Sequence, residues 1–145
     1  MPASTTSAPT AIRWWHRFFG GRHDLPHGLS DAWAVVPGPG PRTEVAIGPP
    51  GVFLLDHRRT RPRDLARHAG GLSGRLTAAL GQCVTVHGVL VEDAVRPVRA
   101  EQPDNVTIVT TVVLGPWLES HPAAFDDRDL RVLVRAARGA AGRTG

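Results

Sequence analysis

Asp56-His57-Arg58-Arg59 closes the apolar run Val52–Leu55 and places an acid, an imidazole and two guanidinium groups where a buried segment turns polar. Arg61, Arg63 and Arg67 follow, relieved only by Asp64. Arginines at this density can hold phosphates, or they can be the solvated rim of a loop and a helix start. Asp56 reads either as part of a reactive strand end or as a strand becoming polar as it leaves the core. Both pairs of readings stay open on the residues alone.

The remaining chemistry-bearing residues do not assemble. His16, His23, His27, His57, His68, His87 and His121 are scattered with no HExxH or His-x-His spacing, which reads as a chance distribution. His87 lies inside an apolar stretch and reads as a satisfied, buried histidine. Cys83, the single cysteine, reads as a small buried hydrophobe. One cysteine excludes an intrachain disulfide framework and a cysteine-clustered zinc site. All 17 basic residues are arginine, and the lack of lysine excludes Schiff-base, Walker A and lysine-base chemistry. No GxGxxG or P-loop pattern occurs. Gly38-Pro39-Gly40-Pro41 has the wrong spacing, and its prolines lack the N–H groups of a phosphate nest. Ser30, Asp31 and His121 do not form a hydrolase set, because no G-x-S-x-G elbow is present. No small-molecule cofactor is expected.

The chain of 145 residues is one domain's worth. Its net charge of +4 is compatible with nucleic acid, although arginine in place of lysine beside abundant Ala, Gly and Pro also resembles a GC-rich coding bias. No apolar run approaches the roughly 18 residues of a membrane span, and the N-terminus lacks an apolar signal core. A cytoplasmic location is the expectation.

The elements that must position these residues follow from periodicity. Residues 1–10 read as a disordered tail and 11–21 as a short basic-aromatic helix. In that helix Trp14, Trp15, Phe18 and Phe19 share one face with Ile12, and the face could dock on the domain, meet a protein partner or lie on a membrane surface. Residues 32–36 and 43–47 read as strands. Gly48-Pro49-Pro50-Gly51 is a tight reversal into a buried strand over 52–56. Leu65, Ala69, Leu72 and Leu76 form one helical stripe over 63–80, with Gly70, Gly71 and Gly74 as weak points and a break near Gly70 conceivable. Strands follow over 83–91, with Gly88 as a possible bulge, and over 106–113, separated by a polar loop at 92–105. A short helix around Trp117 precedes a final helix over 126–138, capped by Asp126. Residues 139–145 read as a flexible tail. The fold class is α/β, with a mixed central sheet of four to five strands flanked by helices.

TEVAIGPPGVFLLDHRR, residues 43–59, carries a family resemblance. From about Ala32 to Arg138 the chain resembles the NERD (nuclease-related) domain. That family has an Asp before a strand, a Gly-Pro-(Gly)-Gly turn, and an apolar strand ending in acid-x-Lys. Val86-His87-Gly88, the valine-rich strand and Trp117-Leu118 follow in the family's order. The resemblance implies a restriction-endonuclease-like fold of the PD-(D/E)xK kind, with a mixed central sheet flanked by helices. It also implies carboxylates on a hairpin holding Mg²⁺ or Mn²⁺, and a Lys on the same strand face stabilising charge.

This chain departs from that pattern. Counting back from Gly48, the family's Asp falls on Thr43. Glu44 is adjacent but one step along a strand, hence on the opposite face unless a bulge or register shift intervenes. Asp56 is retained. The Lys becomes Arg58, which can hold a phosphate but cannot act as a base. Asp31 is a loose counterpart of the family's upstream Glu. The expectation is a catalytically degenerate NERD-like domain, residues 32–138, that binds DNA or RNA through Arg42, Arg58, Arg59, Arg61 and Arg63. If it cuts, it is a metal-dependent nuclease in which Asp56 and Glu44 hold the ion and Arg58 stabilises charge. The alternative is a non-catalytic module that uses the nuclease fold as scaffold and contacts a protein or membrane through Trp14, Trp15, Phe18 and Phe19.

Overall fold

The computed structural model describes residues 29–40, 42–57, 61–93, 97–101 and 106–144. The aromatic helix expected over 11–21, the tail at 1–10, and Arg58 and Arg59 lie outside the described residues.

The two-proline turn at 49–50 closes a hairpin because neither proline has to donate a ladder hydrogen bond there. Strand β2 (Thr43–Gly48) pairs antiparallel with β3 (Gly51–Asp56) from Gly48↔Gly51 to Thr43↔Asp56, without a bulge. Strand β1 (Ala34–Pro37) extends the meander on the free side of β2. Helix α1 (Pro62–Leu80) then carries the chain across to β4 (Val86–Glu92), which lies parallel to β3. Strand β6 (Val106–Thr110) is parallel to β4, and β5 (Arg99–Glu101) closes the edge antiparallel to β6. Among the described residues the order is β1-β2-β3-β4-β6-β5, a six-stranded mixed sheet.

Alternating strand residues face two cores. On one face Val45, Ile47, Val52 and Leu54 pack under α1 and the last helix, α3 (Asp127–Thr144), through Leu65, Leu72, Leu76, Leu130, Leu133 and Val134. On the other, Ala46, Phe53, Leu55, Val89 and Val109 meet Trp33 and the short helix α2 (Thr111–Glu119) through Leu114 and Leu118. The architecture is therefore α/β with helices on both faces of a mixed sheet.

Several boundaries differ from the sequence reading, each for a local reason. Helix α1 runs unbroken through Gly70, Gly71 and Gly74, which sit on its solvent face, while Leu65, Ala69, Leu72 and Leu76 are buried. Packing of that stripe outweighs the glycine penalty of about 1 kcal/mol each. Strand β4 begins at Val86, because Val84 is tied to the Thr77 hydroxyl through both its N–H (2.9 Å) and its carbonyl (3.3 Å). Cys83 consequently lies in a connection and is exposed, not buried. Gly88 makes no bulge. It pairs in register with Leu54, and a Cβ there would stand 3.2 Å from Leu65 Cγ, so it lets α1 approach the sheet. The sixth strand, β5, lies within the expected 92–105 loop. Arg99 anchors it by two bonds to the Glu92 carboxylate at 2.9 and 3.2 Å, an interaction invisible to hydrophobic periodicity. β6 stops at Thr110, and its last β-branched residues begin α2 instead. The tail expected from residue 139 continues α3 to Thr144. The Asp126 cap is present: its carboxylate accepts the Asp129 N–H at 2.9 Å.

Candidate functional site

The carboxyl end of β3 is where the arginine-rich segment leaves the sheet. Thr43 and Asp56 are direct cross-strand partners and share the face covered by α1 and α3. Glu44 pairs with Leu55 and so belongs to the opposite face, toward α2. The regular ladder supplies neither the bulge nor the register shift that would bring Glu44 to Asp56.

Each group is committed locally. Asp56 is 2% exposed. The Thr43 hydroxyl donates to the Gly40 carbonyl at 2.7 Å and accepts the Gly40 N–H at 2.9 Å. Glu44 is bonded through Oε1 to His57 Nε2 at 2.9 Å. His57 follows Asp56 by one residue and therefore points to Glu44's face. The Glu44 hydrogen bond raises the His57 pKa above its ordinary value of 6.5, against the opposing effect of partial burial, with the charges of Glu44, Asp56 and Asp93 adding to the rise.

A single hard cation needs several oxygen ligands converging on one point. The pair expected from the sequence, Asp56 and Glu44, sits on opposite faces, and the group opposite Asp56 is a hydroxyl engaged with its own loop. These donors do not fit Mg²⁺ or Mn²⁺. Among the described residues no group of three or more His, Cys, Asp or Glu side chains is placed to hold a metal ion.

The basic residues fare differently. Arg42 is exposed and adopts a left-handed φ of 61°, unusual for a residue with a side chain. Its carbonyl accepts the His57 N–H at 3.3 Å, and Gly38 N–H donates to Thr43 O at 2.9 Å. The loop is thus stitched to the ends of both β2 and β3. It also lies beside α1, since a Cβ on Gly40 would be 4.0 Å from His68 Cε1. Arg61 and Arg63 are exposed at the start of α1, and Arg67 is exposed one turn on, 3.3 Å from Asp64. Gly40, two residues before Arg42, therefore lies near the second turn of α1. Asp31 lies exposed in a turn and supplies no helical carboxylate.

A second cluster was not legible in the sequence. Phe53 is ringed by His87, His121, Trp33 and Trp117, with ring centroids 5.3, 5.4, 5.8 and 5.8 Å away. His87 is not a buried core histidine. It is an exposed residue whose ring lies against Phe53. Partial burial of that ring, with the charge of His121, lowers its pKa below 6.5. Only the register Phe53↔His87 across parallel strands makes this meeting foreseeable, and that register is not written in either segment alone.

Compared with known proteins, the chain matches no family model, no curated protein and no solved structure. Among the described residues no helix is long and apolar enough to cross a membrane.

Proposed function

We propose that this chain is a nuclease-related domain that binds nucleic acid without cutting it efficiently, acting in the cytoplasm. The observation that carries this reading is exposed Arg42, bonded through its backbone to the end of β3, with exposed Arg61 and Arg63 following in sequence at the start of α1. The resemblance of residues 43–59 to the NERD hairpin supports it, as does a mixed sheet with helices on both faces. Arg58 and Arg59 extend the same stretch of sequence. Guanidinium groups bind phosphate oxygens in pairs of parallel hydrogen bonds, and they need no sequence-specific groove contact to do so. The placement of Glu44 and Asp56 on opposite faces argues against efficient metal-dependent hydrolysis.

The test is binding of fluorescent single-stranded and duplex DNA and RNA across a salt series, beside cleavage assays with Mg²⁺ and Mn²⁺. The reading expects affinity that falls steeply with salt and no product that depends on Asp56. Metal-dependent cleavage lost in Asp56→Ala would overturn the second half of the reading. Absence of any salt-sensitive binding would overturn the first. A second reading, apolar docking on a protein partner, draws on Val112 and Val113, which are 70% and 39% exposed at the start of α2. It expects association that is indifferent to salt.

A further inference from the structure

We infer that the Thr43 hydroxyl braces the 38–43 loop so that Arg42 is presented to a nucleic-acid phosphate, and that this contact needs no divalent cation. The inference rests on the nucleic-acid reading and adds to it a positioning residue, a contact residue and a metal requirement.

The argument begins with Arg42's backbone. A left-handed conformation at a non-glycine residue persists only where its surroundings over-determine it. Here four bonds act together: Thr43 Oγ1 donates to Gly40 O and accepts Gly40 N–H, Gly38 N–H donates to Thr43 O, and His57 N–H donates to Arg42 O. Thr43 is 7% exposed, so the brace is partly buried while Arg42 beside it is exposed. Gly38 leaves no room for variation there, since a Cβ would lie 2.3 Å from Thr43 Oγ1. Gly38, Gly40, Arg42 and Thr43 are thus tied to one another and to His57 by hydrogen bonds.

Thr43 is also the position directly opposite Asp56. A carboxylate there would put two negative charges on one face, repelling a phosphate unless a cation stood between them. A hydroxyl adds no charge, and this one is already committed to the loop. Asp56 itself is buried. The exposed charges at this end of the hairpin include Arg42, with Arg61 and Arg63 following at the start of α1, and an anion can approach Arg42 directly. Glu44, on the other face, is neutralised in part by its bond to His57.

The experiment measures oligonucleotide affinity by fluorescence anisotropy in EDTA and in Mg²⁺ at matched ionic strength, for wild type, Arg42→Gly, Thr43→Val and Thr43→Ser. Arg42→Gly suits the left-handed backbone, so it removes the guanidinium while keeping the turn. The expected result is affinity in EDTA at least equal to that in Mg²⁺. Arg42→Gly should lose about three- to tenfold, with a salt slope shallower by about one. Thr43→Val should lose a similar factor and Thr43→Ser should recover it, which a merely structural role for residue 43 would not require at unchanged melting temperature. Binding that needs Mg²⁺, or an Arg42→Gly variant that binds like wild type, overturns the inference. Separately, titration of MnCl₂ into the free protein should show no saturable binding at millimolar concentration, and a saturable site lost in Asp56→Ala would also overturn it. No nucleic-acid binding by wild type in either buffer would instead overturn the nucleic-acid reading on which the inference stands.

Discussion

Replacing Gly70, Gly71 and Gly74 with alanine should stabilise the protein. All three lie on the exposed face of α1, and a Cβ added at any of them meets nothing within 4 Å. The helix is continuous through them from Pro62 to Leu80, so each alanine would occupy a helical backbone it favours. Alanine exceeds glycine by about 1 kcal/mol in a helix interior, and measured gains at compatible sites run about 0.4–1 kcal/mol through loss of unfolded-state freedom. Three substitutions should therefore add about 1.2–3 kcal/mol. With an unfolding entropy of about 2.1 cal/mol/K per residue, that is roughly 4–10 °C in melting temperature. Differential scanning calorimetry of the single and triple variants gives the number directly. Nucleic-acid affinity should be unchanged, since no arginine is touched. A triple variant that melts no higher than wild type would refute the continuity of α1 through this region. Raised stability with lost affinity would mean that bending at these glycines is part of binding.

Two further outcomes concern pH and packing. The two perturbed histidines should act on stability in opposite directions. His87, lowered by burial, takes up its proton more readily in the unfolded chain, so its contribution is complete above pH 6.5 and is lost as pH falls through that value. His57, raised chiefly by Glu44, stabilises below 6.5 and loses its contribution as pH rises through its folded pKa. Urea midpoints from about pH 5 to 8 should show His87→Phe flattening the acid limb, and NMR titration should show Glu44→Gln lowering the His57 pKa; an unmoved His57 would mean the pair is not formed. At Gly48 an added Cβ would fall 2.4 Å from the Trp33 indole, which is fully buried. Gly48→Ala should cost toward the upper end of the roughly 1–3 kcal/mol of overpacking, and an unshifted urea midpoint would show that Trp33 is not held against the turn.

Residues with a strong period announced their elements. The α1 stripe, the Gly48–Gly51 reversal and the Asp126 cap were each readable, because one physical rule fixes each of them locally. What failed was whatever a distant partner decides. β5 exists because Arg99 reaches Glu92 and its strand pairs with β6, neither of which leaves a mark in a polar three-residue segment. Thr111–Val113 favour a strand by propensity, yet they open α2 as the chain turns onto the Trp33 face. At the site, strand alternation correctly placed Glu44 on the face away from Asp56. The bond from Glu44 to His57 could have been found by the same parity rule, applied to the residue after Asp56 rather than to Asp56 alone. Arg42's left-handed backbone had no such signal, since it is set by the loop closing onto Thr43.

The two margins of the sheet bear on how the protein behaves when crowded. β1 has four residues and ends in Pro37, which has no N–H to offer a newcomer, and β5 has only three. The long, apolar, hydrogen-bond-rich strands β3 and β4 are interior, with neighbours on both sides. Among the described residues, a foreign strand seeking a template would find short, interrupted rims. Such a sheet should remain dispersed at high concentration even though its central strands, taken as isolated peptides, carry the composition of segments that assemble into fibrils.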